Sequence, residues 1–104
     1  MEKAAFKMKL LPNQKEEYKK RRDEIMSELI KTFHDVGISD YSIYLDEETS
    51  ILFGVLKRTK HHEMASLPEK EVMKKYWKSM ENILETNTNG SVKVTQLECM
   101  FHMD

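Results

Sequence analysis

Apolar residues in this chain recur every second position in some stretches and every third or fourth in others, and the order of those stretches leaves few folds open. Over residues 5–10, Phe6, Met8 and Leu10 fall on one side and Lys7 and Lys9 on the other, which predicts a half-buried strand. Leu11-Pro12-Asn13 stops it. Asn13 followed by Glu16 has capping-box spacing, so a helix is expected to start near Gln14. Its stripe runs through Tyr18, Arg22, Ile25, Leu29 and Phe33, and Gly37 is placed to end it. Two strand-like runs, 41–45 and 51–57, flank a polar stretch, 46–50, of hairpin-loop length. Ser66 with Glu69 is a second capping box, and Pro68 falls in the first turn, where its missing N–H is harmless. The helix that follows carries Val72, Met73, Tyr76, Trp77, Met80, Ile83 and Leu84 on one face, until 87–90 breaks it. A last strand over 92–103 is expected, with Leu97, Cys99, Phe101 and Met103 together and Cys99 buried.

The order is β-α-β-β-α-β, which places the chain in the α+β class with a ferredoxin-like split βαβ arrangement. Two helices would cover one face of a four-stranded antiparallel sheet, leaving the other face to a ligand or a partner. With 104 residues, 1–104 form one domain, and a chain of this size buries only about 60–70% of its unfolded surface. It has little core to spare for an enclosed pocket. A shallow cleft and a second copy closing the sheet into a dimeric α+β barrel are therefore expected.

Charge and motifs exclude several functions. Seventeen basic residues face eighteen acidic ones, so there is no basic excess for nucleic acid. No apolar run is long enough to span a membrane, and the single cysteine, Cys99, fits a reducing cytoplasm. Glycine-rich phosphate loops, nucleophile elbows and C-x-x-C pairs are absent, so no cofactor is expected. His61-His62-Glu63 lacks a second ligand pair at metal spacing and reads as a polar loop, so no metal is expected either. His34 suits the negative end of its helix.

The aromatic residues hold more. Tyr18 and Arg22 share one face of the first helix, Tyr41 opens the second strand, and Tyr76-Trp77 lies on the second helix. Flat rings stack on the C–H face of a pyranose while O–H and N–H groups read its hydroxyls. Aromatic residues at helical spacing serve equally as core.

The segments EEYKKRRDEIMSEL (16–29), YSIYLDEETSILFG (41–54), YWKSMENILETN (76–87) and the terminal FHMD resemble the L-rhamnose mutarotase family over nearly the whole chain. The resemblance implies a dimeric α+β barrel that interconverts the α and β anomers of L-rhamnose. It implies sugar contacts at Tyr18, Tyr41, Tyr76 and Trp77, where the family's usual aromatic pair is Trp-Trp. Arg22 stands at the position of the family's acid/base histidine, and Met26 and Ser27 also depart from the pattern. So does the turn at 88–92, where the family has D-N-S-P.

Mutarotation takes a proton from the anomeric hydroxyl and delivers one to the ring oxygen. Histidine titrates in the right range for both, whereas arginine stays protonated. Three routes are open: Tyr18 with its proton loosened by Arg22, another histidine such as His102, or sugar binding without turnover. The last would make the chain a non-catalytic sugar or sugar-acid binding module, with Arg22 favouring an anion. A haem-degrading or stress-response role has only topology behind it.

Overall fold

A computed structural model describes residues 1–104. Strands β1 (Glu2–Lys9), β2 (Ile38–Asp46), β3 (Ile51–Arg58) and β4 (Thr95–Leu97) alternate with helices α1 (Lys15–Asp35) and α2 (Glu71–Met80). The order is β1-α1-β2-β3-α2-β4, and the strands form one antiparallel sheet in the spatial order β2-β3-β1-β4. This is the ferredoxin-like α+β arrangement that the periods imply.

The alternation along each strand separates the two sheet faces. Phe6, Met8 and Leu10 are buried with Leu52 and Leu56 of β3, Ile25 and Leu29 of α1, and Met73 and Met80 of α2. Leu29 and Met80 are fully covered, each contributing about 1.5–3 kcal/mol by leaving water. Gly54 is opposite Phe6 in the register, and a Cβ there would come within 2.3 Å of the ring. The Phe6 ring therefore occupies the space that a side chain at position 54 would fill. Tyr44, across from Phe53, is on the other face and stays exposed.

Gly37 ends α1 as its position suggests. At φ +93° its N–H donates to the His34 carbonyl at 3.0 Å and turns the chain into β2. Neither capping box forms. Asn13 takes up a turn at φ 61°, and α1 begins after Gln14 without a side-chain cap. The Ser66 hydroxyl donates to the Glu63 carbonyl inside a 3-10 turn over Met64–Glu69, and α2 begins only at Glu71.

The last third of the chain departs most from expectation. α2 stops at Met80, although Ile83 and Leu84 remain fully buried in the turn that follows. Their N–H groups donate to the Met80 carbonyl, and Leu84 bridges to Leu10 at the end of β1. β4 is three residues long rather than the twelve of 92–103. Beyond Leu97 the chain leaves β1, its only neighbouring strand, and Phe101 and Met103 stand 82% and 78% exposed. Cys99 is exposed too, not buried in a strand. Nothing in the chain packs over this end, so the alternation there has no surface to be buried against.

Candidate active site

α1 crosses the sheet beside β2, and its stripe faces inward as expected: Tyr18, Arg22, Ile25 and Leu29 are all buried. From β2, Tyr41, Ile43 and Leu45 pack against the same core. Tyr41 is wedged between Phe6 and Phe33, with ring centroids 5.9 and 5.4 Å away. Tyr76 comes from α2. The fold thus gathers Tyr18, Arg22, Tyr41 and Tyr76 from three elements.

Arg22 is the centre of this group and the chain's one buried charged residue, at 9% exposure. Its Nη1 donates to the Tyr76 hydroxyl at 3.0 Å. Its guanidinium carbon lies 5.3 Å from the Tyr41 ring centroid and 5.4 Å from that of Tyr76, within cation–π range of both. None of the chain's ion pairs includes it. Its neighbour Arg21 behaves differently: it pairs with Glu17 and donates to the Ser79 carbonyl, tying α1 to the end of α2. One arginine is a clamp between helices, and the other sits at the floor of a cleft.

The Tyr18 hydroxyl, one helical turn before Arg22, is buried and has no hydrogen-bond partner. Burial pushes this phenol well above its usual range; Tyr76 adds to the shift, and Arg22 opposes it without prevailing. Burial therefore works against loosening of its proton, and in its neutral form the hydroxyl is a hydrogen-bond donor. Burial likewise pushes Tyr41 up to about 12, again against Arg22. Burial opposes the charge on Arg22, but the surrounding tyrosines favour it, and the guanidinium stays protonated.

Tyr18, Arg22 and Tyr41 floor an open cleft of about 350 Å³, a size suited to a small ligand. Ile43, Leu45 and Leu52 give it an apolar wall; Lys15, Lys19, Asp23 and Met26 form the α1 side. Tyr76 lies behind Arg22 rather than in the lining, at 5% exposure. Trp77, about 100° further round the helix, is half-buried against the core and does not line the cleft. His102 is not brought here: it pairs with Asp104 and lines a separate hollow between the start of β1 and the chain end. His62 accepts from the Met64 N–H, and no group of histidine, cysteine and carboxylate side chains is arranged to hold a metal.

The sequence reading gave no site role to Lys19 or Asp23, and noted Met26 only as a departure from the family pattern. Their spacing of four and three continues beside the Tyr18–Arg22 stripe, so helix geometry alone marks them as its flank. The packing of Phe6 and Phe33 on Tyr41 had no such signal.

A family model described as L-rhamnose mutarotase matches residues 3–103. The chain belongs to the L-rhamnose mutarotase family. An L-rhamnose mutarotase from Mesorhizobium japonicum is 55% identical to it over 98% of this chain and 97% of its own length. One from Agrobacterium fabrum is 54% identical over 99% and 96%. The crystal structure of an L-rhamnose mutarotase from Formosa agariphila superposes with a TM-score of 0.90 at 39% identity, covering 100% of both chains. Membership of the family therefore rests on the whole chain and not on one motif. No helix is long and apolar enough to cross a membrane.

Proposed function

We propose that this chain is an L-rhamnose mutarotase, interconverting the α and β anomers by acid/base ring opening in the cleft between α1 and β2. The observation that carries this reading is the convergence of Tyr18, Arg22 and Tyr41 on one open cleft, in a chain related to mutarotases along its full length. Tyr41 offers a ring to stack on the sugar, while Tyr18 and Arg22 offer donors to its oxygens. Tyr76 acts through Arg22, holding the guanidinium in place, and Trp77 backs α2 against the core. The reaction transfers protons while one C–O bond opens and recloses, with no net oxidation or reduction, and calls for neither metal nor cofactor.

A cytoplasmic homodimer fits this reading. The sheet face away from the helices exposes Tyr44 and Leu97, with Phe53 and Val55 beside them in the register. A second copy packed there would close the barrel, and the protein should then sediment as a dimer that Tyr44→Lys weakens.

Anomer exchange of L-rhamnose, followed by NMR with the wild-type chain and with Arg22→His, tests the activity. Acceleration by the wild-type protein is expected. If neither protein accelerates exchange or shows sugar-dependent shifts, the rhamnose reading falls. Sugar-dependent shifts without acceleration would leave a binding module.

A further inference from the structure

We propose that Asp23 is the catalytic proton acceptor of this cleft, one residue along α1 from the arginine that cannot serve. This rests on the mutarotase reading of the same site. Of the side chains lining the cleft, six are ionisable: Lys15, Tyr18, Lys19, Arg22, Asp23 and Tyr41. The lysines and the arginine carry their protons at neutral pH, and the two phenols keep theirs more firmly than free tyrosine does. Asp23 alone is left to accept one. Its carboxylate joins no ion pair, whereas Lys15, on the same side of the cleft, is engaged by Glu47.

The geometry of the substrate makes one carboxylate sufficient. The anomeric oxygen and the ring oxygen are both bonded to C1, so a group that reaches one is close to the other. Asp23 takes the proton from the anomeric O–H as that oxygen's electron pair forms the C1=O bond. The bond from C1 to the ring oxygen breaks with its electrons going to the ring oxygen, which receives the same proton back from Asp23. Rotation of the aldehyde and the reverse sequence close the ring on its other face, with no net change in protonation. Arg22 and the unpartnered Tyr18 hydroxyl, both buried at the floor of the cleft, donate to whichever oxygen carries negative charge. An arginine in this place then becomes useful: it cannot move the proton, but it stabilises the alkoxide that the carboxylate creates.

Two other candidates adjoin Arg22 on its far side, where His34 and Asp40 line a neighbouring hollow with Met26 and Tyr41. Asp40 is paired with Lys57, and His34 lies three turns along α1 from Arg22, so neither shares the cleft with Tyr18.

The test measures exchange of L-rhamnose anomers by NMR, with sugar-induced chemical shifts recorded on the same samples. Asp23 is exposed, so its variants should fold. Asp23→Asn should slow exchange by about 100-fold with the shifts retained, Asp23→Glu should keep it within about tenfold, and His34→Gln should leave it unchanged. An Asp23→Asn protein within about threefold of wild type overturns the assignment while the mutarotase reading stands. Loss of the shifts together with the rate overturns it as well, since Asp23 would then bind sugar and not move its proton. A wild-type chain that fails to accelerate exchange overturns both.

Discussion

β1 and the end of the chain carry the same alternating signal and meet opposite fates. In β1, Phe6, Met8 and Leu10 alternate with lysines and are 7%, 5% and 3% exposed. At the other end, Leu97, Cys99, Phe101 and Met103 also recur at every second position, with Met100 between them as the one apolar exception, yet all are exposed. The difference lies in their neighbours. β1 is a central strand, paired with β3 on one side and β4 on the other and roofed by both helices. The terminal run has one strand beside it for three residues and then none. A period of two says which side chains share a face; whether that face is covered depends on what the rest of the chain brings to it.

The strongest way to break this comparison is to truncate one ring from each region. Phe6→Ala should lower unfolding free energy by about 3–5 kcal/mol, since the ring fills the space over Gly54. Phe101→Ala should change it by less than about 0.5 kcal/mol in denaturant titrations of the isolated chain. A loss on Phe101→Ala that grows with protein concentration would show that a second copy covers the terminal run. The contrast would then concern partners rather than exposure.

A smaller effect of opposite sign should appear at the covered site itself. The Tyr18 hydroxyl is buried without a partner, an arrangement that disfavours the folded state. Tyr18→Phe should therefore raise stability by about 1 kcal/mol while weakening rhamnose-induced shifts. A stabilised protein with full sugar affinity would mean that this hydroxyl serves no ligand.

A further effect is a dependence on alkaline pH. Tyr41 titrates at about 12 when folded, against an ordinary value of 10.0, and Tyr18 is also raised. Both folded phenols bind their protons more tightly than the unfolded chain does. Their contribution is thus complete below about pH 10 and declines as the pH rises through the folded values. Unfolding free energy measured from pH 9 to 11.5 should fall at the upper end, and less steeply in Tyr41→Phe. A flat profile in the wild-type protein would contradict the burial of these rings.

Much of the fold was legible because it depends on local pattern. The period changes place α1 and the first three strands near their observed positions, though α2 ends earlier and β4 is far shorter than the pattern suggests, and Gly37 marks the end of α1 because only glycine takes φ +93° readily. The capping boxes misled: residue spacing permits the motif, but the backbone on either side decides whether a side chain can reach. Asn13 was drawn into the turn after β1, and Ser66 into a 3-10 turn. In the candidate site, Tyr18 and Arg22 were legible as one helix face. That Tyr41 is clamped by Phe6 and Phe33, and that Tyr76 and not Trp77 meets Arg22, was not.

The sequence by itself determined the order of elements, the inward face of both helices and of the first three strands, and the placing of Tyr18 and Arg22 on one face of α1. Those follow from periodicity and from side-chain chemistry, which act within a few residues. Only the tertiary structure decided that Arg22 would be buried among tyrosines without a carboxylate, that Tyr18 would keep its proton, and that the last seven residues would stay uncovered. Each depends on groups far apart in the chain meeting or failing to meet, because burial and the field around a charge are set by what surrounds a residue in space.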